Sequence, residues 1–154
     1  MKQLLFEQID VGSEIPSLKQ KVDLTQLIRY SAATWNFFLL HLEKEFAQKQ
    51  GFKDANIHAP FYGAFLARMM TQWIGDPGRL RRLGYRVTVM GFPGDTLVAK
   101  GKVIKKYQER GENFIDCDIW VENQDGVKVA PASATVSLSS KKSSILISKI
   151  LNDG

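Results

Sequence analysis

Apolar positions along the chain follow two regimes. In the first half they recur at helical spacing. Leu24, Leu27, Ile28 and Ala32 predict a helix over residues 24–34. Asp23 suits its N-cap, with Gln26 three residues on as a weak capping box. Ahead of it, residues 6–16 read as an extended lead-in, where Gly12 and Pro16 break any helix, and residues 17–22 suit a strand. Residues 35–40, WNFFLL, are a dense apolar run interrupted only by Asn36 and closed by His41. Residues 42–50 read as a second short helix ended by Gly51. Ala59–Ile74 is the most apolar helix: Arg68 is its only charge, and Pro60 suits the first position, where a missing N–H costs nothing. Such a helix must be buried on most of its faces, and GDPG (75–78) terminates it.

The second half alternates or runs in β-prone residues over 85–90, 96–107, 114–121 and 128–138. FPGD, ERGEN and NQDG are the turn signals between strands, so the pattern is an antiparallel meander. One apolar helix followed by long strands predicts a single α+β domain over residues 1–154, a curved sheet wrapping the helix. The tail, 139–154, reads as an edge extension or a loose amphipathic end.

Composition narrows the classes. The 154 residues fit one core, and 44% apolar content excludes wholesale disorder. Cys117 is the single cysteine, so no disulfide framework exists. One Cys and two His cannot supply four soft ligands, so no metal is expected. No run approaches the length needed to span a bilayer, and the first ten residues make a poor signal peptide. A cytoplasmic protein is the expectation. The net charge of +5 suits either a solvated surface or an anionic partner. Aromatics are not interleaved with the basic residues as a base-stacking platform would need, so no nucleic-acid partner is expected.

Few residues are equipped for chemistry. His41 and His58 are the only histidines, each at the end of an irregular segment preceding a helix. They suit a site, and they equally suit hydrogen-bonded structural roles. Asn36 is a polar amide in an apolar run: it suits a turn, or an amide that orients a substrate group or a water. Ala59 begins the apolar helix, where a backbone N–H lacks an intrahelical acceptor and can hold an oxyanion. Arg79, Arg81 and Arg82 cluster after GDPG, and Lys100 and Lys102 share one face of a strand. Together these suit phosphates; singly they are solubilising charge. The chain carries no phosphate-loop motif and no GxSxG.

The stretches YSAATWNFFLLHLEKEFAQKQGF and NIHAPFYGAFLARMMTQWIGDPG, with the VGSEIP lead-in, resemble the MaoC-like hotdog domains. That family includes (R)-specific enoyl-CoA hydratases and 3-hydroxyacyl-thioester dehydratases. The resemblance covers most of the chain, and WIGDPG with the two histidines is its specific part. It implies the hotdog fold, with Ala59–Ile74 as the central helix. It implies a homodimer, a dimer-based oligomer, or a heteromer pairing a competent with a degenerate subunit. The implied reaction is syn addition of water to a trans-2-enoyl thioester, or its reverse, with coenzyme A thioester as substrate and no other cofactor.

Carried over residue by residue, the family's acid/base His falls on His41 and its Asp on Asn36. The motif's Asn falls on Phe38 and its Pro on Leu39. The second His falls on His58 and the oxyanion glycine on Ala59, which keeps the backbone N–H. Asn36 can hydrogen-bond a water but cannot take its proton, and Phe38 implies a reshaped pocket for a different or bulkier acyl group. His58, Phe38, Arg79, Arg81, Arg82, Lys100 and Lys102 are the expected substrate contacts. Two functions follow. One is an acyl-CoA hydratase or dehydratase, slightly favoured because His41 persists. The other is a noncatalytic subunit that binds acyl-CoA or supports an active partner. A thioesterase is disfavoured, because the acid on or beside the central helix is absent.

Overall fold

The computed structural model describes residues 4–140; most of the C-terminal tail singled out above lies outside them. Five strands form one antiparallel sheet in the order β1-β3-β4-β5-β2. The strands are β1 (Glu14–Lys21), β2 (Arg79–Tyr85), β3 (Thr96–Glu109), β4 (Glu112–Glu122) and β5 (Lys128–Leu138). The helices are α1 (Leu24–Ala33), α2 (Lys44–Lys49) and α3 (Ala59–Ile74). This is the expected hotdog arrangement.

The core follows from side-chain period. Leu97, Ala99 and Val103 of β3, and Ile115, Cys117, Ile119 and Val121 of β4, alternate onto the inner face of the sheet. Against them α3 lays Tyr62, Phe65, Leu66, Met69, Met70 and Ile74, the i, i+3, i+4, i+7 stripe of one helix face. The sheet covers that face only. Ala64, Arg68, Thr71 and Gln72 stay exposed, so α3 is less enclosed than its composition predicts. Cys117 packs in the core, and burial, with Asp116 beside it, pushes its thiol up to about 12.

α1 starts as its capping box requires: Gln26 N donates to Asp23 Oδ1 (2.8 Å) and Asp23 N to Gln26 Oε1 (3.4 Å). Pro16 sits inside β1, where a register shift falls between Ile15 and Leu18; an edge strand tolerates the missing donor. The lead-in also contains a 3-10 turn, Phe6–Gln8.

The strand expected at 85–90 lies upstream, at Arg79–Tyr85. Residues 86–90 continue as an irregular extension, tied to β5 by Arg86 N→Pro131 O (3.1 Å) and Thr88 N→Val129 O (2.9 Å). β2 is an edge strand with mostly exposed side chains, so its arginines mask the alternation.

Candidate active site

Three segments converge where α3 begins: the loop after α1, the 3-10 turn Leu39–His41, and the extended residues before Ala59. The loop turns sharply. Trp35 takes a left-handed conformation (φ 56°), and Asn36 N donates to Ser31 O (2.9 Å). The apolar run faces outward here, with Trp35 84% exposed and Phe37 and Phe38 more than half exposed. What the run encloses is its one amide.

Asn36 both makes the turn and faces a histidine. Its Oδ1 accepts from Phe38 N (3.1 Å), an Asx turn, so Nδ2 is the group that faces His58 Nε2 at 2.9 Å. The acceptor on His58 is therefore Nε2, and its proton sits on Nδ1, which is buried without a hydrogen-bond partner among the described residues. One Nδ2 hydrogen of Asn36 is left over.

His41 is held from the other side. Its Nδ1 lies 2.7 Å from Asn56 Oδ1 and 3.1 Å from Asn56 O. Both are acceptors, so Nδ1 carries the proton and Nε2 keeps its lone pair. Asn56 is 2% exposed; its N donates to Leu40 O (3.1 Å) and its Nδ2 to Met90 Sδ (3.6 Å). Asn56 was missed in the sequence, although an amide between Ala55 and Ile57 is a buried polar group needing partners. The His41 and His58 rings are 4.6 Å apart between centroids, tilted by 33°. Burial, and then the neighbouring His41, lowers the His58 pKa from its usual value.

Aromatic edges frame the pair. Phe38 meets His41 edge-on (5.8 Å), and Tyr30, also missed, meets His58 (6.0 Å) and Phe61 (5.3 Å). Burial raises the Tyr30 pKa, with Tyr85 adding to it. Ile57 N donates to Gly91 O (2.9 Å), which ties the histidine segment to the chain beyond β2. Gly91 must be glycine, since a Cβ there would lie 2.5 Å from the Tyr62 hydroxyl and 2.8 Å from Ile57 Cδ1. Ala59 opens α3, so its N–H has no intrahelical acceptor, and no acid in the first turn competes for it.

The expected basic contacts split in two. Arg79, Arg81 and Arg82 lie on β2; Lys100 and Lys102 lie on the outer face of β3. β4 and β5 stand between them, about 14 Å of strand spacing. Arg81 is paired with Glu112 and donates to Ser137 Oγ (2.8 Å). Lys100 pairs with Glu122, whose carboxyl that hydrogen bond holds below the usual range, with Trp120 Nε1 adding a second. No group of three or more His, Cys, Asp or Glu that could hold a metal occurs among the described residues. Among these residues no helix is long and apolar enough to cross a membrane.

A curved antiparallel sheet around one helix defines a hotdog domain, here with a histidine-bearing turn at the start of that helix. The model of the MaoC like domain matches residues 10–123, most of the chain, and the protein belongs to that family. It is 29% identical over 93 residues to the 3-oxo-4,17-pregnadiene-20-carboxyl-CoA hydratase beta subunit of Mycobacterium tuberculosis, a match covering 60% of this chain and 72% of that protein. It is similar to a chain of the ChsH1-ChsH2 complex from Mycobacterium tuberculosis, with TM-score 0.75 and 25% identity over 84% of this chain and 98% of that one. The R-hydratase PhaJ1 from Pseudomonas aeruginosa shares the fold, with TM-score 0.82 and 18% identity over 90% of this chain and 88% of that one.

Proposed function

We propose that the protein adds water to, or removes it from, a trans-2-enoyl thioester, with His41 as the acid and base. The observation that carries this reading is the clamp on His41 Nδ1 by the two oxygens of Asn56, which leaves Nε2 as a free base. In the hydration direction Nε2 takes a proton from water while the oxygen bonds to C3. The C2=C3 electron pair moves onto the thioester, whose oxygen the Ala59 N–H receives as an oxyanion. The His41 imidazolium then returns its proton to C2, so one base balances both transfers. Asn36 orients His58, and its remaining Nδ2 hydrogen can hold the water. Phe38 forms an apolar wall for the acyl group. Coenzyme A is the proposed carrier. Its phosphates would meet either the Arg79, Arg81 and Arg82 group or the Lys100 and Lys102 group, with Arg79, Arg82 and Lys102 free of carboxylate partners among the described residues.

His41→Ala is expected to lower hydration of a crotonyl-type CoA by about 10²–10⁴-fold, followed by loss of enoyl absorbance. Asn36→Ala should cost less. A measured native activity that His41→Ala leaves unchanged would refute the mechanism.

A second reading has its own observation. Asn36 stands where the family has its acid, the curated relative is a beta subunit, and a structural neighbour is a two-protein complex. The protein would then bind acyl-CoA as the noncatalytic member of a heteromer. Asn36→Asp separates the two readings: if neither it nor the native protein hydrates any enoyl-CoA in a broad panel while acyl-CoA still binds, the noncatalytic reading holds.

A further inference from the structure

The face of α3 left open by the sheet forms one wall of a cleft of about 310 Å³. Phe61, Ala64 and Arg68 fall at i, i+3 and i+7 on that wall, Phe65 borders it from the core side, and Arg29 and Tyr30 of α1 also line the cleft. The volume lies at the lower end of the range for small-ligand sites, about 300–1,000 Å³. Three rings and a methyl supply half of its lining residues, Gln20 and Gln26 border it too, and each helix brings an arginine. Neither arginine has a carboxylate partner among the described residues: Arg68 bonds only the neutral Gln20 Oε1 (3.2 Å), and Arg29 forms no ion pair. Arg68 is also the one charge that α3 carries.

We propose that this cleft binds an amphipathic carboxylate, its hydrocarbon against Phe61, Ala64, Phe65 and Tyr30 and its carboxylate on Arg29 and Arg68. An apolar lining rejects a small hydrated anion, and two unpaired guanidiniums disfavour a neutral lipid. A medium-chain acid satisfies both, since a guanidinium fork matches a carboxylate. Tyr30 touches both the cleft and His58, so the ligand lies one ring from the histidine pair. The carboxylate has two sources: a free acid, or the far end of an ω-carboxyacyl thioester. The site needs no turnover, so its test is independent of the hydratase reading.

Calorimetry on the intact protein would compare decanoate with decanol. Decanoate should bind at least about tenfold tighter, the worth of a charge-assisted hydrogen bond. Arg29→Gln with Arg68→Gln should bring decanoate to the level of decanol, and Ala64→Trp should weaken both by filling the cleft. Decanoyl-CoA and its ω-carboxy counterpart distinguish the sources. A preference for the ω-carboxy form that the double variant loses places the carboxylate on the acyl group. No preference, with decanoate binding kept, assigns a free acid. Decanoate affinity unchanged in the double variant, or decanol binding equally well, overturns the proposal.

Discussion

A single imidazole is tuned here by what it lacks. His58 receives one hydrogen bond on Nε2 and, among the described residues, none on its buried Nδ1. Burial and the facing His41 ring disfavour its charged form, so its folded pKa lies below that of the unfolded chain. Protons then bind the unfolded state more readily. The stability that neutral His58 contributes is complete above the usual histidine value of about 6.5 and is lost as pH falls through the lower folded value. Melting curves between about pH 7.5 and about pH 5 should show a falling midpoint, and His58→Asn should flatten the fall. Asn36→Asp reverses the sign. A carboxylate opposite Nε2 needs a proton there, so the His58 pKa should rise, read from its imidazole proton shifts in NMR. A rise confined to His41 would contradict the arrangement described here. The two histidines were legible in the sequence because the chain has no others. Asn36 was legible too, as an amide in an apolar run, but Asn56 and the pairings were not: Asn36 meets His58 across 22 residues and Asn56 meets His41 across 15, contacts that only the folded backbone makes.

Among elements, legibility tracked how strongly burial enforces a period. α3 lies against the sheet, and its ends match the pattern of Pro60 and Gly75. The alternation in β3, β4 and β5 was read for the same reason: each is covered on its inner face. β2 was displaced in the reading because an edge strand with arginines at 79, 81 and 82 carries little alternation, whereas residues 85–90, RVTVM among them, carry more. The outward-facing WNFFLL run shows the converse, dense hydrophobicity without burial. The extension after β2 has a structural duty of its own. Gly91→Ala would press a methyl into the Tyr62 hydroxyl and Ile57, both buried. The expected cost is about 1–3 kcal/mol, measured by chemical denaturation. Because Ile57 precedes His58, the same variant should lower activity in protein that is still folded at the assay temperature.

At the scale of the whole molecule, the sheet of the described residues ends in two edges, β1 and β2. Exposed Tyr85, Val89 and Met90 lie on and beyond β2, and Trp35, Phe37 and Phe38 lie beside the histidines. An unpaired edge with nearby apolar side chains favours association. A homodimer is expected in sedimentation at micromolar concentration, and a clean monomer would leave only assembly with a different chain. The strand order also sets a timetable. β2 follows α3 directly in the chain, yet its strand partner among the described residues is β5, the last strand described. On a ribosome, Arg79–Tyr85 emerges long before Lys128–Leu138, and α3 emerges without the inner face of β3, β4 and β5 to cover it. Two of the four strand pairings, β1 with β3 and β2 with β5, join strands that are not consecutive in the chain, so closure waits for distant segments. Three arginines in a seven-residue strand keep that waiting edge charged and unattractive to other nascent chains. The residues that blurred β2 as a strand thus guard it while it is unpaired, because its partner β5 is the last described strand to emerge.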